Sequence, residues 1–321
     1  MTSSEAHGRL PDFFIVGHAK SGTTAMYEML RPHPEIFMPE VKETWYFARE
    51  LRSPLRKGDN PRHPETLEGY LALFAGAQPG QKLGEATPSY LYSHESAARI
   101  AELCPDARIV ALLREPASFL RSLHMQFLKT DVESEKSLRR AIELDPLRAE
   151  GRALPRNSTR PQALQYAEHV RYSEQLERFR SRFGEERLLV LIYEDYREDN
   201  AAAMRRVFRF LGVAEDAPVQ SVEVNPATRI RSPRAEQLVR SLYLGRSPAA
   251  RAGKAAIKAL TPRRLRRDAI ALQRRAQRAA PLPPDEQLML ELRRRFKGEV
   301  EALSEYLGRD MVARWGYDRL D

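Results

Sequence analysis

An α/β fold, with a central parallel sheet between layers of helices, is what the sequence predicts, on three observations. Short apolar runs at residues 13–16, 108–113 and 188–193 are each followed by a helical pattern, as in strand–helix–strand units. The first run opens into Gly17-His18-Ala19-Lys20-Ser21-Gly22-Thr23-Thr24. There two glycines let the backbone turn sharply, and three hydroxyls gather with unpaired amides at a helix start, which makes an anion site. The second run ends in Arg114-Glu115-Pro116, at the end of a strand where parallel sheets hold ligands.

The first turn nearly matches the nucleotide-binding pattern G-x-x-x-x-G-K-[ST], with Gly17 and Gly22 in place, so the expected three-layer fold is P-loop-like. Thr23 stands where the lysine belongs, however, and Lys20 lies inside the loop. A lysine placed earlier implies a different anion geometry and no need for a metal. A helix over 24–31 follows and is ended by Pro32-His33-Pro34. Residues 35–47 carry Ile36, Phe37 and Met38, and then Lys42-Glu43-Thr44-Trp45-Tyr46-Phe47. Burial beside aromatic rings raises a carboxyl pKa and an adjacent lysine lowers it, so Lys42 and Glu43 read either as a tunable general base or as a surface ion pair beside a core cluster.

Residues 49–80 are polar and proline-rich, with a short helix expected over 67–74. Gly84-Glu85-Ala86-Thr87-Pro88-Ser89-Tyr90 reads as a second polar turn, before a helix over 93–103. Pro116 suits the first turn of a helix carrying Ser118, Arg121 and Ser122. Arg114 and Ser122 can both face one phosphate across that strand exit; the alternative is an arginine that caps a helix or pairs with Glu115. Amphipathic helices are expected over 133–144 and 162–183, joined by a flexible proline-containing link, and another over 200–211. Arg229 and Arg231 lie in a loop. Residues 232–284 turn to arginine, lysine and alanine with few large apolar side chains, which predicts a helical insertion or lid on a single domain spanning 1–321. Helical periodicity returns over 286–307, and Trp315-Gly316-Tyr317 is expected to pin the terminus to the core.

The 321 residues, 42% hydrophobic and 30% charged, suit a soluble globular protein, and the net charge of +9 favours anionic ligands. Cys104 is the only cysteine, so an intrachain disulfide and a cysteine metal cluster are excluded, which favours a reducing compartment. No apolar run reaches membrane-spanning length and residues 1–11 have no signal-like core, so a cytoplasmic location is expected.

Taken together, the separated motifs resemble the sulfotransferases that use 3′-phosphoadenosine 5′-phosphosulfate (PAPS), particularly the branch with heparan-sulfate enzymes and many bacterial members. Residues 14–24 resemble its 5′-phosphosulfate loop and residues 114–122 its 3′-phosphate motif. Pro34 with residues 42–47 resembles its segment from a His-Pro pair to Lys-Glu and aromatics. Residues 85–90, 188–211 and 308–315 resemble further landmarks. The resemblance implies transfer of a sulfuryl group from PAPS to a hydroxyl of a glycan or small-molecule natural product. Glu43 would be the base, and Lys20 and Lys42 would serve the sulfuryl and leaving groups. Lys20, Ser21, Gly22, Thr23 and Thr24 would hold the 5′-phosphate, and Arg114 and Ser122, with Arg229 and Arg231 as weaker candidates, the 3′ end. Branch members commonly carry a basic residue where this chain has Ala86, a departure that bears on acidic-polysaccharide binding.

A P-loop kinase or NTPase is the rival enzyme class, but the second strand ends in Arg114 where a metal-organising aspartate is expected. A protein that binds anionic polymers through 229–278 is the rival outside enzymes; the stretch has little aromatic interleaving for base stacking, so no specific nucleic-acid partner is expected.

Overall fold

The computed structural model describes residues 8–52, 63–155, 160–217, 229–230, 278–279 and 283–320. The chain divides into two compact units, Met1–Val224 with Asp285–Asp321, and Asn225–Pro284. In the first unit β1 (Phe13–Gly17), β2 (Ile36–Phe37), β3 (Lys82–Ala86), β4 (Arg108–Leu113) and β5 (Leu188–Ile192) form one sheet in the order β2-β3-β1-β4-β5, with every pairing parallel. Parallel neighbours need crossovers, and helices supply them. These are α1 (Thr23–Leu30), α2 (Leu67–Leu71), α3 (Ser96–Leu103), α4 (Pro116–Lys129), α5 (Leu138–Glu143), α6 (Asp145–Ala149) and α7 (Tyr172–Phe183). After β5 come α8 (Tyr193–Glu198) and α9 (Asn200–Leu211), and the chain closes with α10 (Glu286–Arg295), α11 (Lys297–Leu307) and α12 (Met311–Trp315).

Side chains alternate across a strand, so the central strands feed two cores. Phe14, Val16, Ile109 and Ala111 join Ile100, Phe119, Leu120 and Phe179 of α3, α4 and α7 on one face. Phe13, Ile15, Val110 and Leu112 join Met26, Leu30, Met204 and Phe208 of α1 and α9 on the other. The apolar runs are near-continuous because both faces are covered.

Several boundaries differ from expectation. Lys82–Ala86, of which 84–86 read from sequence as the start of a turn, form β3, where Lys82, Gly84 and Glu85 obscure the apolar signal; Ile36–Phe37 form β2, only two residues long. The helix expected over 133–144 is confined to α5. Glu133 is instead buried against Arg148, with 2.8 Å between Oε2 and Nη1. The link after it is not without structure, since it holds α6. The expected helix over 162–183 is broken, because Asp145 accepts hydrogen bonds from the amides of Tyr166 and Ala167, at 3.0 and 2.7 Å, and pins two short 3₁₀ turns ahead of α7. The pattern over 286–307 divides into two helices at Phe296. Trp315 and Tyr317 do anchor the terminus: the Trp315 indole donates to Glu194 at 2.9 Å and the Tyr317 hydroxyl to Glu115 at 2.7 Å.

In the second unit β6 (Arg229–Ile230) pairs antiparallel with β7 (Arg278–Ala279). Apart from 283–284, the remainder of the basic 232–284 stretch lies outside the described residues. Among the described residues no helix is long and apolar enough to cross a membrane.

Three buried imidazoles give the fold an acid sensitivity. His18, with Nε2 2.5 Å from Oε1 of Gln175, and His169 are pushed down to about 3 and about 4, first of all by burial, and His124 is also lowered by burial. Their unfolded value is near 6.5, so the unfolded chain takes up protons that the folded chain refuses as pH falls below it. Stability is therefore full above 6.5 and declines below it, by up to about 1.4 kcal/mol per pH unit for each such histidine. The thermal midpoint is expected to drop between pH 7 and pH 5, above the range where most carboxylates titrate; an unchanged midpoint would contradict this.

Candidate active site

The turn after β1 is shaped by its glycines. Gly22 sits at φ 91, and a Cβ there would lie 3.2 Å from the Tyr196 ring and 3.3 Å from the Tyr193 ring. A Cβ on Gly17 would lie 2.4 Å from Cβ of Leu91, so the strand exit admits no side chain. Lys20 adopts φ 66, a left-handed conformation that a non-glycine residue holds only when its surroundings enforce it. Part of that enforcement comes from Arg114, whose Nη1 donates to the Lys20 carbonyl at 3.0 Å.

The turn offers donors. Gly22 is the N-cap of α1 and has no side chain to cap the first-turn amides. Ser21 is fully buried and its Oγ has no hydrogen-bond partner among the described residues. Thr23 is buried and Thr24 is half-buried at the first two helical positions. An orphaned buried hydroxyl beside an uncapped helix start fits an anion's oxygens. Lys20 supplies the charge; burial, then Lys129 and Arg114, lower its pKa, and Glu43 opposes them. A bound anion would relieve that strain.

Lys42 and Glu43 reach the site from the loop after β2. The Glu43 amide donates to the Ala86 carbonyl at 3.0 Å, hanging the loop on the end of β3, which lies beside β1 in the sheet. Nζ of Lys42 is 3.1 Å from Oε1 of Glu43; the lysine side chain is 14% exposed and the glutamate 48%. The carboxylate is thus open to an incoming molecule while its partner is packed. Trp45 and Phe47 are buried and Tyr46 stacks on Tyr70 with ring centroids 4.3 Å apart, so the expected aromatic cluster is a core that backs the loop.

Arg114 lies at the end of β4, its guanidinium 4.6 Å over the Tyr193 ring, and the Tyr172 hydroxyl donates to its carbonyl at 2.9 Å. Arg114, Ser118, Tyr193, Arg197, Arg293 and Trp315 line a cavity of about 630 Å³. Ser122, two helical turns into α4, is buried and is not part of that lining. Glu115 caps α4 by accepting from the amides of Ala117 and Ser118, and its carboxylate is 3.5 Å from Nε of Arg293. Arg114 is therefore free of the Glu115 pairing left open from sequence. Tyr193 and Arg293 were not singled out from sequence; Tyr193 directly follows β5, at the ligand-holding end of the sheet. Arg229 lies in β6, described only by its backbone pairing, and Arg231 lies outside the described residues.

A parallel sheet whose first crossover turn fits an anion, with a lysine in that turn and a carboxylate within its electrostatic reach, is a P-loop-like fold. The chain belongs to the sulfotransferase family: residues 11–217, more than half of it, match that family's profile. It is 26% identical over 280 residues to human carbohydrate sulfotransferase 15, covering 72% of this chain and 50% of that one. It is 28% identical over 211 residues to mouse heparan sulfate glucosamine 3-O-sulfotransferase 3A1, covering 65% and 47%. The chain spans about half the length of these curated relatives. Its fold is shared with a sulfotransferase from Alicyclobacillus acidocaldarius, at 22% identity and a TM-score of 0.65, covering 96% of this chain and 99% of that one.

Proposed function

We propose that this family member is an active sulfotransferase that takes its sulfuryl group from PAPS and delivers it to a hydroxyl of a glycan or small-molecule natural product, with Glu43 as general base. The observation that carries this reading is the convergence of Lys20, on the anion-fitting turn, and the exposed Glu43 carboxylate, whose charges are within electrostatic reach of each other. The names of the curated relatives, a carbohydrate and a heparan sulfate enzyme, support a glycan acceptor.

PAPS supplies an activated sulfuryl group on a phosphate that leaves as 3′,5′-ADP. The amides of the turn, with Ser21, Thr23 and Thr24 hydroxyls, would hold the 5′-phosphate, and Gly22 lets the backbone approach it. Lys20 would balance charge growing on the leaving phosphate, a role favoured by its packed position, where charge is weakly screened. Arg114 and Ser122 would grip the 3′-phosphate. Glu43 would accept the acceptor hydroxyl's proton, and Lys42, 3.1 Å from it, would orient that carboxylate or meet the sulfuryl oxygens.

The test is transfer of labelled sulfate from PAPS, with a chelator present, to a panel of desulfated heparin, chondroitin and 4-nitrophenol. Transfer to one or more of them is expected. Turnover of ATP that depends on Mg²⁺, with no sulfate transfer, would overturn the proposal in favour of a kinase.

A further inference from the structure

Glu85 has no part in the chemistry assigned above, yet four hydroxyls converge on its buried carboxylate. Oε1 accepts from Thr44 at 2.7 Å, Thr87 at 2.6 Å and Tyr90 at 2.8 Å, and Oε2 accepts from Tyr70 at 2.5 Å. A carboxylate has about four lone-pair sites, and these four donors match that number, three crowding Oε1 and one meeting Oε2. Burial raises the Glu85 pKa, while the four hydrogen bonds pull it back towards the ionised form.

The donors come from distinct segments. Tyr70 belongs to α2, Thr87 and Tyr90 to the turn after β3, and Thr44 to the loop bearing Glu43. That loop is strained, since the residues flanking Thr44 are both left-handed, Glu43 at φ 63 and Trp45 at φ 58. Each such residue costs ~1–3 kcal/mol and persists only where its surroundings over-determine it. Here the determinants are visible. Thr44 is tied to Glu85, the Glu43 amide to Ala86, the Phe47 amide to the Tyr90 hydroxyl at 3.4 Å, and the Trp45 carbonyl to Nε of Arg52 at 2.9 Å. On its other side the turn after β3 is fastened to β1, with the Thr87 amide on the Ile15 carbonyl at 3.1 Å and the Leu91 amide on Val16 at 2.7 Å. β1 runs directly into the turn that carries Lys20.

We infer that Glu85 is a positioning residue: through Thr44 and the hydroxyl cage it fixes the Glu43 loop against the end of β1, and so sets where the base stands relative to Lys20. The inference rests on the assignment of Glu43 as base and deepens it. An ionised acceptor at residue 85 matters because every neighbour is a donor. A glutamine there would turn an amide NH₂ towards hydroxyl protons and leave at least one of them without an acceptor.

Thr44→Val, Glu85→Gln and Glu43→Gln are compared singly, and the first two also in the Glu43→Gln background, by labelled-sulfate transfer from PAPS to whichever panel acceptor turns over fastest. Thr44→Val and Glu85→Gln are expected to lower kcat by roughly 10- to 100-fold, the scale of a misplacement near 1 Å. The affinity for 3′,5′-ADP should be unchanged, and neither change should lower kcat further when Glu43 is already glutamine. Should Glu85→Gln fail to fold, Thr44→Val carries the same test, because it removes one hydroxyl and leaves the carboxylate in place. An unaltered kcat in Thr44→Val, or a loss as large in the Glu43→Gln background as in the parent, overturns the positioning role while leaving Glu43 as base. Full turnover in Glu43→Gln alone removes the base itself and with it anything to position. Hydrogen exchange needs no acceptor: amides over 42–48 should lose protection in Thr44→Val while those of β1 keep it, and unchanged protection over 42–48 also overturns the inference.

Discussion

Replacing Glu43 with glutamine is expected to lower turnover by ~10²–10⁴-fold while leaving the binding of 3′,5′-ADP intact, the range a positioned general base contributes. The side chain keeps its size, its amide still hangs on Ala86 and the sheet is untouched, so the change falls on proton acceptance alone. Its carboxylate is about half exposed, so an acceptor hydroxyl reaches it without rearrangement of the core. The Lys42 pair is lost, but an ion pair whose carboxylate stands about half in solvent is worth about 0–1 kcal/mol, too little to explain a collapse in rate through instability. Unchanged turnover would remove Glu43 as the base. A parallel loss of 3′,5′-ADP affinity would point to a binding role.

Arg114→Ala is expected to weaken 3′,5′-ADP more than AMP, and to weaken AMP as well. The first effect is the loss of a charged contact to the 3′-phosphate, about 1.5–3 kcal/mol, or roughly ten- to a hundredfold in affinity. The second is a consequence of geometry that the sequence does not display. Nη1 of Arg114 braces the Lys20 carbonyl, where Lys20 holds a left-handed conformation, so its removal loosens the 5′-phosphate turn for any nucleotide. Ser122→Ala lacks that brace and should act on 3′,5′-ADP alone. Titration of the two nucleotides against both variants checks this; equal losses for 3′,5′-ADP and AMP in Arg114→Ala would contradict the 3′-phosphate contact.

Much of the sheet was legible because its central strands are buried on both faces. Residues 13–16 and 108–113 stand accordingly as β1 and β4; the apolar run at 188–193 forms the edge strand β5 up to Ile192, half-buried over 188–190, and its Tyr193 opens α8. Residues 82–86 were not, since β3 carries Glu85, whose burial is possible only because Thr44, Tyr70, Thr87 and Tyr90 surround it; hydroxyls this scattered in sequence announce no common partner. The break ahead of α7 was hidden for the same reason, as the Asp145 carboxylate that satisfies Tyr166 and Ala167 lies 21 and 22 residues away. Of the candidate site, the sharp turn at 17–24 was readable from its local glycines and hydroxyls. The brace between Arg114 and Lys20, separated by 94 residues, and the cavity side chains Tyr193 and Arg293 needed the fold to bring them together.

The central claim is that the turn at 17–24 and Arg114 select the donor nucleotide of a sulfotransferase. Calorimetric titration of the purified protein with 3′,5′-ADP, against AMP and ATP and without added metal, tests it most directly. Tight binding of 3′,5′-ADP, well above both other nucleotides, is the predicted result. Preference for ATP, or no nucleotide binding at all, would contradict it.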